Sequence, residues 1–162
     1  MTAISQVMTR DVTVVCPGDN VQRAAQMMAQ WNVGVLPVCD GTKLVGMVTD
    51  RDITVRATAA GKAPDATRVS DVMSDNVYWL YEDQRVGEAL QEMGDIQIRR
   101  IPVVNRNKEL VGIVSLGDLI TRDKTNVQDA LEAISFPSAP VRQETRSDGS
   151  SCEPPGAGSQ SN

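Results

Sequence analysis

Histidine is absent from all 162 residues, which removes imidazole as a general base, an acid or a metal ligand. Cysteine is scarce: Cys16, Cys39 and Cys152 are the whole supply, too few for the disulfide framework of a small secreted scaffold. Aromatic residues contribute 3% against 41% for hydrophobic residues together, so the core has to be built from Val, Ile, Leu, Met and Ala. No apolar run approaches the ~20 residues that cross a bilayer, and no basic flank precedes an apolar signal core. A cytoplasmic protein without membrane contact is expected. Acidic residues outnumber basic ones by 21 to 16, a net charge of −5, which argues against nucleic acid as a partner. A P-loop, a GxGxxG loop and a paired nucleophile and base are all missing, so the chain is not read as an enzyme.

What the sequence does contain is a duplication. A shift of 65 lays VMTRDV at 7–12 over VMSDNV at 72–77, Val21 over Val86, Ala24 over Ala89, Met28 over Met93 and Pro37 over Pro102. Beyond Lys43 the shift becomes 66, with Glu109 as the extra residue, and LVGMVTDRD from Leu44 falls on LVGIVSLGD from Leu110. Seventeen of 52 aligned positions are identical, and they are concentrated on apolar, Gly, Pro and Asp positions. Scattered chance identity would not select these places.

Each repeat reads as a strand, a helix, two strands and a second helix, behind a short helical turn. In repeat one, VTVV is a strand stopped by Pro17 and Gly18; Val21, Ala24, Ala25 and Met28 mark one helical face. VGVLPVCD and KLVGMVT form a hairpin about Asp40 and Gly41, and a helix starts near Asp50. Repeat two supplies VYWLY, a helix from about Arg85 to Met93, RIPVVN, ELVGIVS and a helix from Leu116. The expected fold class is α/β (mixed α+β), with two pseudo-symmetric β-α-β-β-α repeats packed sheet to sheet so that each covers the other's apolar face. The expected units are repeat one at 1–61, repeat two at 62–125, an amphipathic helix at 126–136 and a flexible Pro/Ser/Gly-rich tail at 137–162.

The recurring hydroxyl-x-x-acid at each second helix has two readings. Thr49 with Asp52, and Ser115 with Asp118, fit a capping box, which stabilises a helix by roughly 1 kcal/mol. A cap does not require Gly46 and Gly112, which sit inside strand-like runs where glycine is costly unless another group approaches closely. A helix start carrying a hydroxyl suits a phosphate, and a carboxylate nearby suits ribose hydroxyls. Trp31, Trp79 and Tyr81 read as packing residues, with base stacking as the alternative. Cys16 and Cys39 end neighbouring strand-like runs; bystander thiols and a redox-sensitive pair are both open.

With the duplicated VM[TS] opening, the strand bearing Pro37 or Pro102, and LVG[MI]V[TS]xxD closing into a helix, residues 4–122 resemble a tandem pair of CBS domains, a Bateman module. The likeness is greatest to stand-alone bacterial CBS-pair signalling proteins. It implies a non-catalytic regulatory module that binds adenosine-containing nucleotides in clefts between the repeats: AMP, ADP or ATP, or alternatively S-adenosylmethionine or NADH. It further implies a homodimer and a separate effector protein, with no obligatory cofactor and no metal. Carried over by position, Asp52 and Asp118 would meet ribose, and Thr49 and Ser115 phosphate. Adenine would lie by the backbone near Thr9, Val12, Ser74 and Val77, against walls that include Pro37 and Pro102. Positive charge would come from Arg51 in repeat one and from Arg99 and Arg100 in repeat two. The alternative is a ligand-free structural or partner-interaction module, redox-responsive through its cysteines.

Overall fold

The computed structural model describes residues 2–96 and 98–122. The expected helix at 126–136 and the tail at 137–162 lie outside the described residues. After a 3-10 turn at Ile4–Gln6, the first repeat runs through α1 (Val21–Trp31), β1 (Val35–Asp40), β2 (Lys43–Thr49) and α2 (Asp50–Ile53), which continues as a π-helical turn at Thr54–Thr58. The second repeat has α3 (Val69–Val72), β3 (Leu80–Tyr81), α4 (Val86–Ile96), β4 (Arg100–Val104), β5 (Leu110–Ser115) and α5 (Leu116–Arg122). Strands β1 and β2 form one antiparallel sheet; β3, β4 and β5 form the other, with β3 parallel to β4. No helix among the described residues is long and apolar enough to cross a membrane.

The repeats reproduce one another down to single bonds. Helix α1 is capped by the Asn20 side chain, which accepts from the Arg23 amide at 2.9 Å, and it buries Val21, Ala24 and Met28 as the spacing predicts. Ala25, read into the same stripe, is exposed instead. Both hairpins skip one residue at the same place, between Val38 and Cys39 and between Val103 and Val104. They also meet tip to tip: Leu110 donates to the Thr42 carbonyl at 2.9 Å and Thr42 Oγ1 to Glu109 Oε1 at 3.0 Å. The residue inserted in repeat two therefore joins the two sheets.

The opening strands are shorter than VTVV and VYWLY suggest. In repeat one only the parallel bridge of Val15 with Val38 forms, through Val15 N–H to Pro37 O and Cys39 N–H to Val15 O. Extending this ladder in either direction requires an amide from residue 37 or residue 17, and both are proline, which has none to give. Repeat two keeps an amide at the second place, and Glu82 donates to Val104 O at 3.1 Å. Strand β3 is accordingly two residues long.

Each opening turn is inserted into the opposite repeat. Ile4, Val7 and Met8 pack with Leu80, Met93, Ile101, Val114 and Leu119 of repeat two. Val69 and Val72 pack with Val15, Ala24, Leu36 and Val48 of repeat one. A third cluster, around Cys39, Leu44 and Val104, lies between the two sheets and includes Trp79 and Tyr81 at its edge. Those two rings carry cations, Lys108 Nζ 4.6 Å from the Trp79 centroid and Arg106 Cζ 4.3 Å from that of Tyr81.

This exchange accounts for the two glycines. A Cβ at Gly112 would lie 2.8 Å from the Thr9 carbonyl oxygen, and one at Gly46 would lie 2.9 Å from that of Ser74. In both places the backbones are bonded twice, Thr9 with Ile113 and Ser74 with Met47, all four bonds at 2.9 Å. The space that the glycines provide is taken by the opposite repeat's opening segment, not kept for a ligand.

Candidate functional site

The same crossing of segments walls a cavity of about 370 Å3, inside the roughly 300–1,000 Å3 of small-molecule sites. Its sides come from three places: Thr9, Asp11, Val12 and Thr13 after the first opening turn; Val35, Leu36 and Pro37 of β1; and Ile113, Ser115 and Asp118 from the end of β5 and the start of α5. Trp31 and Val33 close it at the end of α1, and Arg100 stands at the head of β4. The walls are mostly apolar, with Arg100, Ser115 and Asp118 as one neighbouring set of polar residues.

Those polar groups are held by the backbone. Arg100 pairs with Ser115 across β4 and β5, and Leu116 N–H donates to Arg99 O at 2.8 Å, which fixes where α5 leaves the sheet. Repeat one repeats this contact with Asp50 N–H to Gly34 O at 3.0 Å. The capping boxes form in both repeats. Ser115 Oγ accepts from the Asp118 amide at 3.1 Å, and Asp118 Oδ2 accepts from Ser115 N–H at 2.9 Å and from Ser115 Oγ at 2.6 Å. Asp118 is also one of the side chains on the cavity wall. Thr49 Oγ1 accepts from Asp52 N–H at 3.0 Å, Asp52 Oδ2 accepts from Thr49 N–H at 2.9 Å, and Asp52 Oδ1 lies 3.8 Å from Arg56 Nη1.

Of the residues expected to touch a ligand, this cavity brings together Thr9, Val12, Pro37, Arg100, Ser115 and Asp118. Arg99 lies next door, lining with Arg100 an open groove beside Asn32 and Gly34. The others belong by the repeat offset to the opposite half. There Thr49 and Asp52 share their cap, Arg51 is exposed, Ser74 pairs with Met47, Val77 packs at the sheet-to-sheet cluster and Pro102 is buried in β4. Thr13, Val33 and Ile113 line the cavity without having been expected, as does the Asp11 side chain, whose backbone lies in the stretch expected near adenine; Trp31, read first as a packing residue, lines it too. Trp31 is 57% exposed, and its place at the end of α1 next to left-handed Asn32 was the available signal. Arg56 was also missed: its Nη1 donates to the Val72 and Met73 carbonyls at 2.8 and 3.1 Å, tying the helical run of repeat one to the other opening segment. Among the described residues no three His, Cys, Asp or Glu side chains gather as a metal group.

Known proteins share this fold. The chain is 44% identical over 128 residues to an uncharacterized protein, YlbB, of Bacillus subtilis, spanning 78% of this chain and 85% of that one. The crystal structure of Hypoxic Response Protein I with two coordinated zinc ions superposes with a TM-score of 0.69 at 33% identity, covering 75% of this chain and 99% of that chain. The CBS domain pair of protein MJ0100, in complex with 5′-methylthioadenosine and S-adenosyl-L-methionine, gives 0.64 at 27% identity, over 75% and 94% of the two chains. The CBS domain pattern itself matches twice, at 4–57 and 69–125, the two copies that the duplication marks out, and the chain belongs to the CBS-domain family as a tandem pair.

Proposed function

We propose that this CBS pair is a non-catalytic regulatory module whose cavity takes an adenosine-containing nucleotide of the AMP, ADP or ATP kind and whose occupancy is read by a separate partner protein. The observation that carries the reading is that an acid, a hydroxyl and an arginine, Asp118, Ser115 and Arg100, adjoin one another in the lining of a mostly apolar cavity. In this reading Asp118 accepts from ribose hydroxyls, Arg100 and Ser115 meet the phosphate, and Val12, Val35 and Pro37 face the base. Ser115 has to turn its hydroxyl from Asp118 to donate to phosphate, which gives up its bond to Asp118 Oδ2 while both backbone bonds of the cap can stay. Thr49, Arg51, Asp52, Ser74, Val77 and Pro102 form the corresponding set of the second half, with Arg51 as its nearest cation in sequence. The chain acts as a homodimer and in trans. The ligand complex of the MJ0100 pair supports the adenosine class.

The test is thermal unfolding of the purified chain with AMP, ADP, ATP, S-adenosylmethionine and NADH, and with guanosine nucleotides as controls. A ligand at 100 times its Kd stabilises by about 2.7 kcal/mol, several degrees for a chain of this size. A rise confined to adenosine ligands and removed by Asp118→Ala supports the reading. No shift with any of them at millimolar concentration overturns it in favour of a ligand-free interaction module, for which the formed capping boxes already give the repeated motif a structural reason.

A further inference from the structure

Outside the cavity, the chemistry without a role is a pair of thiols. Cys16 and Cys39 are both free, Cys16 exposed and Cys39 2% exposed. The parallel bridge joins Val15 to Val38, so each cysteine is the next residue along its own strand. Paired residues of adjacent strands stand about 4.8 Å apart, inside the roughly 4.4–6.8 Å between Cα atoms that a disulfide spans. Alternation settles the side. Val15 and Val38 both enter the repeat-one core, whereas Val14 and Cys39 turn to the cluster between the sheets, the side to which alternation also assigns Cys16. Burial and the charge of Cys16 push the Cys39 thiol up to about 11, a sign that the two sulfurs feel one another.

We propose that Cys16 and Cys39 form a reversible intramolecular disulfide that pins the segment after the opening turn to β1, so that two walls of the cavity are held as one. The oxidant is a low-molecular-weight disulfide. The exposed Cys16 thiolate attacks one sulfur of oxidised glutathione, forming a mixed disulfide and releasing one glutathione thiolate. The Cys39 sulfur then attacks Cys16 Sγ; the bond to the second glutathione breaks, and that glutathione leaves carrying the Cys39 proton. Two protein thiols are oxidised and one glutathione disulfide is reduced to two thiols. Pro17 and Pro37 make the cross-link consequential, because they leave this segment a single ladder bridge for attachment.

The experiment equilibrates the full chain carrying Cys152→Ser with oxidised glutathione and reads intact mass, peptide map and amide hydrogen exchange. The expected result is loss of both titratable thiols with a mass lower by two hydrogens, a peptide joining Cys16 to Cys39, reversal by dithiothreitol, and exchange at residues 12–15 slowed about tenfold. Accumulation of a glutathione adduct on Cys16, or a disulfide between two chains, overturns the proposal. So does a cross-link that leaves exchange unchanged. Cys16→Ser and Cys39→Ala chains should each fail to form the linked peptide; the exposed Cys16 position guards against a result caused by misfolding. None of these readouts uses a nucleotide, so failure of the ligand reading and failure of this one are separate events.

Discussion

Replacing Gly112 by alanine tests the claim that the glycines admit the opposite repeat. The new Cβ would stand 2.6 Å from Met8 Sδ, 2.9 Å from Met8 Cγ and 2.8 Å from the Thr9 carbonyl oxygen. The sulfur is the far end of a flexible side chain, but Met8 is only 7% exposed and has little space to turn. The carbonyl is backbone, held by the paired bonds between Thr9 and Ile113. Relief of the clash therefore strains or breaks both bonds, at about 1 kcal/mol each, on top of about 1–3 kcal/mol for overpacking. Reduced freedom of the unfolded chain returns about 0.4–1 kcal/mol. The net loss is about 2–4.6 kcal/mol, which at about 2–4 °C per kcal/mol lowers Tm by about 4–18 °C. Thermal unfolding followed by circular dichroism measures it, with Gly87→Ala as the control. Gly87 sits in α4 with nothing within 4 Å of its would-be Cβ, and alanine there should raise stability by up to about 1 kcal/mol. Adding Met8→Ala to Gly112→Ala relieves the contact with sulfur but not that with the carbonyl. If Gly112→Ala melts with the parent chain, the close backbone approach is refuted.

Arg56→Met removes two hydrogen bonds to the Val72 and Met73 carbonyls and should cost about 1–2 kcal/mol, seen as a lower urea midpoint; an unchanged midpoint would mean that the two segments hold without it. Cys39, raised from 9.0 to about 11 by burial and then by Cys16, keeps its proton longer when folded than when unfolded. Its contribution is full below pH 9.0 and is lost as the pH rises toward 11, so stability should fall across that window in the parent chain and fall less in Cys39→Ala. Iodoacetamide at pH 8 should label Cys16 long before Cys39, and equal labelling would contradict the burial. Asp118→Ala should lower stability by about 1 kcal/mol through the lost cap and weaken adenosine binding in a titration, whereas unchanged affinity would leave Asp118 as a capping residue alone.

The duplication, the alternation of strands and helices and the capping boxes were legible because each is written locally, in spacing or in one residue and its neighbours. The shortened first strand was not: Pro17 and Pro37 are visible, but which ladder amides they remove follows only from the pairing of Val15 with Val38. The glycines illustrate a different limit. Their presence signalled a close approach, but the approaching group is a segment of the other repeat, and a linear pattern does not say which of two neighbours, ligand or backbone, takes the space. Thr13, Val33 and Ile113 are silent in sequence for the same reason. They come from three stretches of the chain, and only the crossing of the repeats gathers them at one cavity.

That crossing also constrains how a bound molecule could be sensed. A ligand shifts an equilibrium only by what it gains in one state over the other, so its contacts have to fall on something able to move. The two halves are tied by paired backbone bonds at Thr9 and Ile113, at Ser74 and Met47 and at the hairpin tips, and sliding them as blocks would break all of these together. The segment at 9–13 is held less completely. It leaves the core at Met8, bonds at Thr9 and is next fixed in a ladder at Val15, while Asp11, Val12 and Thr13 face the cavity between those points. Trp31, exposed and apolar, lines the same cavity, so a molecule seated there would cover Trp31 and meet the segment together. Under the proposed function, the surface altered in this way would be the rim of the cavity, with no rearrangement of either core.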